Sequence, residues 1–130
     1  MLLKKLTAIL FGLVFLSFIA LQYNDPDPMI WMIVYGIAAL LCFAIAAGKA
    51  TTGILWAAAA VFAAGGIIMW PERFEGVSIG GGDIKNIEEA RESLGLFIST
   101  TVFAGFALAE SYGFRRRERL QQLQKAKWAN

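Results

Sequence analysis

A chain of 130 residues that is 58% apolar, with a mean hydropathy of +0.58, departs from soluble composition and reads as an integral membrane protein. It has no histidine and one cysteine, Cys42, inside an apolar run. A His or Cys/His metal site, a CxxC redox pair and an internal disulfide are therefore all beyond this chain alone, which argues against haem, zinc and thiol chemistry. The formal net charge of +2 is small, gives no reason to expect a nucleic-acid partner, and matters less than how its parts are distributed.

A helix rising 1.5 Å per residue needs about 20 apolar residues to cross a hydrocarbon layer about 30 Å thick. Four segments meet that requirement in chain order: about 6–21, 29–47, 52–70 and 94–112. Lys4 and Lys5 before the first run also fit a secretory signal, but Phe18-Ile19-Ala20 lacks the small residue at the first cleavage-site position, so an uncleaved first helix is expected. The corner "QYNDPDPMIW", Gln22 to Trp31, separates the first two spans. Asp25 and Asp27 precede prolines and should leave the α region, and Pro28 suits the first helical turn. Asp27 should be the N-cap of the second helix and Asn24 part of an Asx-type turn, which leaves Asp25 unexplained by local structure.

A short link, Gly48 to Thr52, predicts that the second and third spans form an antiparallel hairpin. Gly53, Ala57, Ala60 and Ala64 give the third helix a stripe of small residues that lets a neighbour approach. The long loop 71–92 follows. Its "GGGD", Gly80 to Asp83, lacks the Lys-Ser/Thr of a phosphate-cradling loop and reads as a flexible break. Asp83 should cap a helix that starts before the fourth span and continues into it. On that helix Glu88, Arg91, Glu92, Gly95 and Ser99 share a face, polar at its start and small further in. The plain reading is a solvated helix end with a Glu88–Arg91 surface pair worth a few tenths of a kcal/mol. Glu110, one turn before the end of the fourth span, is best placed to snorkel or to pair with Arg115 to Arg117.

The charges are asymmetric. Nine basic residues, Lys4, Lys5, Lys49, Arg115, Arg116, Arg117, Arg119, Lys125 and Lys127, fall on one side of the expected membrane, against Arg73, Lys85 and Arg91 on the other. Eight of the ten acids share that second side. Positive charge stays cytoplasmic, so both termini should be cytoplasmic and the acidic loops outside, in a cell membrane (the inner membrane if the source is bacterial). Tyr23, Trp31 and Trp70 should mark the outer interface and Tyr112 the inner one. The fold expected is all-α: a four-helix up-down transmembrane bundle over 1–114 with a basic tail over 115–130. Arg115, Arg116, Arg117 and Arg119 in that tail should contact anionic lipid headgroups.

Both acidic pieces belong to the same outer side in this scheme. Asn24, Asp25, Asp27, Glu88, Arg91 and Glu92 therefore form a candidate ligand-binding or structural cluster. Oxygens from Asp25, Asp27, Glu88 and Glu92 would suit calcium or magnesium, while Arg91 suits a salt-bridge network or the phosphate of a lipid. "QYNDPDPMIWMIVYG" and "IEEARESLGLFI", at the entries of the second and fourth spans, resemble the transmembrane protein 220 family over roughly Leu6 to Leu108. The resemblance implies a small multi-pass membrane protein of undefined biochemical function and transfers no catalytic residue; some relatives continue into further spans where this chain has its basic tail. Three functional classes stay open. The first is an outward site that binds a cation or lipid headgroup or locks the bundle. The second is an accessory, non-catalytic subunit that meets other membrane proteins or copies of itself. The third, ranked last because no nucleophile or cofactor motif accompanies the acids, is a lipid-modifying enzyme.

Overall fold

The structure is a computed structural model that describes residues 1–129. Four α-helices carry the chain, α1 Leu2–Leu21, α2 Pro28–Ala46, α3 Thr52–Ile68 and α4 Ile84–Ala129, with a short 3-10 turn at Gln22–Asn24, and the described residues contain no strand. The chain divides between Thr51 and Thr52 into two compact units, and each is an antiparallel helical hairpin: α1 with α2, and α3 with α4. The packing that defines the fold is thus within these pairs. The α2–α3 hairpin expected from the short 48–52 link concerns the junction between them. That link begins with a helix stop of well-defined kind: Gly48 at φ +73° lets its own N–H reach the carbonyl of Ile45 and lets the Lys49 N–H reach that of Ala44.

Three helices, Leu2–Asn24 with its 3-10 extension, Pro28–Ala46 and Ile84–Ala129, are long and apolar enough to cross a bilayer. The fourth, Thr52–Ile68, is 17 residues, at the lower limit of about 17–25 for a spanning helix. Bonds from the Met69 N–H to Gly65 and from the Trp70 N–H to Ile67 tighten one further turn before Pro71 ends it. The hydroxyls of α4 are matched to this setting. Ser99, Thr100, Thr101 and Ser111 each return their proton to the carbonyl four residues earlier, which satisfies a donor that lipid could not.

In the first hairpin the contact stripe of α1 is Ala8, Gly12 and Phe15. That of α2 is Trp31, Tyr35, Ala38, Ala39, Cys42 and Ile45, at helical spacing, while Leu10, Leu13, Leu16, Ile33, Ile37 and Leu40 stay exposed. An apolar exposed face is what lipid solvates, so the stripe is selected by shape and not by polarity. Gly12 shows how close the helices come: a Cβ there would lie 2.8 Å from the ring of Phe43. Above it Phe15 stacks on Tyr35 at 6.4 Å, and Phe18 meets the same ring edge-on at 5.2 Å. Trp31, expected at the interface, is only 6% exposed and packs toward Tyr35 at 6.3 Å, so it is a core residue of this hairpin. The headgroup preference of Trp is an average, and here an aromatic cluster offers the indole more contact than the interface does. Tyr23 and Trp70 do remain exposed.

In the second hairpin α3 contributes Leu55, Ala59, Phe62 and Gly66, and α4 a long stripe from Ile87 to Ala107. Phe62 stacks on the fully buried Phe103 at 5.5 Å. Nearer the loop the backbones converge. A Cβ on Gly66 would meet the Phe97 ring at 2.9 Å, and the buried Ser93 hydroxyl donates to the Gly66 carbonyl at 2.6 Å, a bond between helices that replaces no other partner. Helix α4 then runs without interruption through the basic segment, whose residues from Tyr112 onward are exposed.

Candidate functional site

The candidate residues lie at the acidic end of each hairpin: Asn24, Asp25 and Asp27 in the turn between α1 and α2, and Glu88, Arg91 and Glu92 in the first turns of α4. In the first turn Asp25 is extended, φ −74° and ψ 147°, as a residue before proline should be. Its carboxylate accepts from the Asp27 N–H at 2.9 Å, which closes an Asx turn. The Asx turn expected at Asn24 is thus made one residue later, and Asp25 has a local reason after all. Asp27 occupies the N-cap position ahead of Pro28 but its side chain makes no capping bond. Its ψ of 58° falls short of the extended backbone that swings a cap carboxylate over the first turn, and the Asx turn holds it there. Asn24 and Asp27 are exposed and Asp25 is half-buried.

The second hairpin's loop is held by a residue that the sequence did not single out. Glu75 reaches across the turn, and one carboxylate oxygen accepts from the Asp83 N–H at 2.8 Å and from the Asn86 side-chain amide at 3.1 Å. A Cβ on Gly82 would lie 2.7 Å from that oxygen, so the run of glycines is required here by close approach; Gly80, at φ +91°, shapes the same turn, and Gly81 donates to the Ser78 carbonyl at 3.1 Å. "GGGD" is thus a built corner in place of the expected break. Asp83 does cap α4, its carboxylate accepting from the Lys85 N–H at 2.9 Å.

Arg91 is tied to this loop as well. Its Nε donates to the Val77 carbonyl at 2.7 Å, tying the loop to the second turn of α4. The Glu88–Arg91 pair expected from spacing is not what forms; a surface ion pair in these first turns joins Lys85 and Glu89, at 3.8 Å. Glu88 and Glu92 are half-buried on the face that continues into buried Gly95 and Ser99, so the shared face is as the spacing predicts. Trp70 stacks on Phe74 at 5.6 Å and leans on Phe97 at 6.3 Å, and buried Pro71 completes the hinge from α3 into the loop. Among the described residues, neither hairpin holds three or more carboxylate or thiol side chains grouped as a metal site would need.

The two bonds to Glu75 also set its acidity: the Asn86 amide first, then the Asp83 N–H, with Arg73 nearby, hold its carboxyl below the usual Glu range. A depressed folded pKa contributes stability above the unfolded value, about 4.3, and loses it as pH falls through the lower folded value. The Asp83 amide resonance should therefore move toward its unbonded position on acidification below about pH 4.3. Glu75→Gln should abolish that titration.

Long apolar helices joined by polar corners, hydroxyls satisfied within their own helices and faces that only lipid would solvate define a multi-pass helical membrane protein. The chain matches the family described as "Transmembrane family 220, helix" over residues 14–108 and belongs to that family, whose biochemical function is undefined. The match takes in both acidic corners and ends before the basic segment of α4. Neither a curated protein nor a solved structure matches the chain significantly.

Proposed function

We propose that the acidic ends of this protein are locks: their charged side chains fasten the turn of each hairpin, and the protein serves as a small structural unit of the membrane with those ends outside and the basic ends in the cytoplasm. The observation that carries this reading is the Arg91 Nε bond to the Val77 carbonyl at 2.7 Å. Through this bond Arg91 fastens the protein's own loop to α4, a structural use of the side chain. Glu75 and Asp25 act in the same sense, each bonding main-chain N–H groups across a turn.

Melting in detergent tests the lock. Arg91→Ala should cost about 1 kcal/mol, the worth of one such bond, and lower the midpoint by a few degrees; Asp25→Ala should act in the same direction, whereas Asp25→Asn keeps an acceptor and should melt near the parent. Unchanged melting in both alanine variants, together with a calcium- or magnesium-dependent shift in the parent that they lose, would overturn the lock and restore the cation site expected at Asp25, Asp27, Glu88 and Glu92. The proposed orientation predicts that Ser78→Cys is labelled by a membrane-impermeant thiol reagent on intact cells and that Lys125→Cys is not.

The α3 surface favours a second reading, as an accessory subunit. Gly53, Ala57, Ala60 and Ala64 are exposed on the side of α3 away from the buried Leu55, Ala59, Phe62 and Gly66, and small residues are what close contact between membrane helices uses. Purification in fixed stoichiometry with another membrane protein is the signature of that role.

A further inference from the structure

At the basic end of the second hairpin, Leu108, Ser111, Tyr112 and Arg115 recur every three or four residues on one face of α4, and Trp56 comes across from the second turn of α3. Together they line a cavity of about 200 Å³. That is smaller than the roughly 300 Å³ at which pockets for drug-sized ligands begin, and its chemistry is specific. The lining among the described residues includes no carboxylate. The guanidinium of Arg115, the indole N–H of Trp56 and the phenol of Tyr112 are all donors, while the Ser111 proton is already committed to the Ala107 carbonyl at 2.9 Å. Among the described residues no hydrogen bond or ion pair engages Arg115. The acid closest in sequence, Glu118, follows Arg115 by three residues without forming an ion pair with it, and Glu110 lies on the opposite face of α4, about 140° around the helix from Arg115.

We propose that this cavity seats the phosphate of an anionic phospholipid. Arg115 presents a bidentate fork to the phosphate oxygens, Trp56 and Tyr112 donate from either side, and Leu108 with the indole face of Trp56 gives the start of the acyl chain an apolar wall. That apolar wall and the position at the end of the membrane-spanning pair favour a lipid over a free anion. The site differs from diffuse attraction by a polybasic tail, because one arginine among Arg115, Arg116, Arg117 and Arg119 lines the cavity.

The full chain, reconstituted in nanodiscs of phosphatidylglycerol mixed equally with phosphatidylcholine, tests this by native mass spectrometry of the lipid retained after release. The expected result is one retained phosphatidylglycerol per chain, preferred about tenfold, the gain of a charge-assisted pair. Arg115→Gln should bring the preference to near unity and Trp56→Phe, which keeps the packing but not the N–H, should reduce it; Arg119→Gln should leave it intact. Equal retention of the two lipids would overturn the proposal. So would an equal loss in Arg115→Gln and Arg119→Gln, which would mean general basic attraction, or displacement by millimolar inorganic phosphate, which would mean a free-anion site.

Discussion

Gly66→Leu should separate α3 from α4 and give the largest loss of stability of any single change at a glycine in the second hairpin. A Cβ alone would stand 2.9 Å from the Phe97 ring, and the rest of a leucine has to be placed where that ring and the α4 backbone now are. Overpacking of this kind costs about 1–3 kcal/mol, and here the displaced helix also loses the Ser93 bond to the Gly66 carbonyl, roughly a further 1 kcal/mol. Loss of helix packing is read by thermal melting and by the midpoint of unfolding in a graded detergent mixture. Ser93→Ala serves as the comparison, since it removes the bond and leaves the space: it should cost about 1 kcal/mol, well short of Gly66→Leu. If the two variants melt together, the close approach at Gly66 is not what holds the pair.

Phe103→Ala is the second large effect. Phe103 is fully buried and stacks on Phe62 at 5.5 Å, so truncation opens a void in the middle of the α3–α4 seam. In a soluble core such a change costs about 3–5 kcal/mol, part of it the lost transfer from water. Lipid is as apolar as the seam, which removes that part and leaves the lost dispersion contacts, so about 2 kcal/mol is expected. Leu108→Ala, on a side chain that is 48% exposed to lipid, should melt within about 0.5 kcal/mol of the parent. Equal losses at Phe103 and Leu108 would contradict a seam built on shape.

These two effects also mark where the sequence stops being legible. Apolar run lengths, Pro28 at a helix start, Asp83 as a cap and the uninterrupted pattern from Ile84 into the basic segment are local signals, and the helices begin and end close to where those signals put them. Gly66 against Phe97 and Phe62 against Phe103 depend on which helices pair, and in an apolar chain no polar face announces the pairing. Trp31 is the same failure in small: an interface preference was outweighed by the ring of Tyr35. At the acidic corners, residue types drew attention to Asp25 and Arg91 but gave no sign of their hydrogen-bond partners. Glu75 stayed hidden because its bonds span 8 and 11 residues of aperiodic loop, beyond the reach of any spacing rule. A lone Glu ahead of a glycine run carries one usable signal, the need for a close neighbour that several glycines in a row imply.

The lock at the acidic end is most directly read by amide hydrogen exchange across residues 76–83 of the full chain in lipid nanodiscs. The Gly81 and Asp83 amides, bonded to the Ser78 carbonyl and the Glu75 carboxylate, should be protected in the parent. Arg91→Ala should raise their exchange several-fold while leaving the 55–66 and 96–107 seam unchanged. Exchange in the parent loop already at the rate of an unstructured peptide, or an Arg91→Ala loop that exchanges as slowly as the parent, would contradict the account.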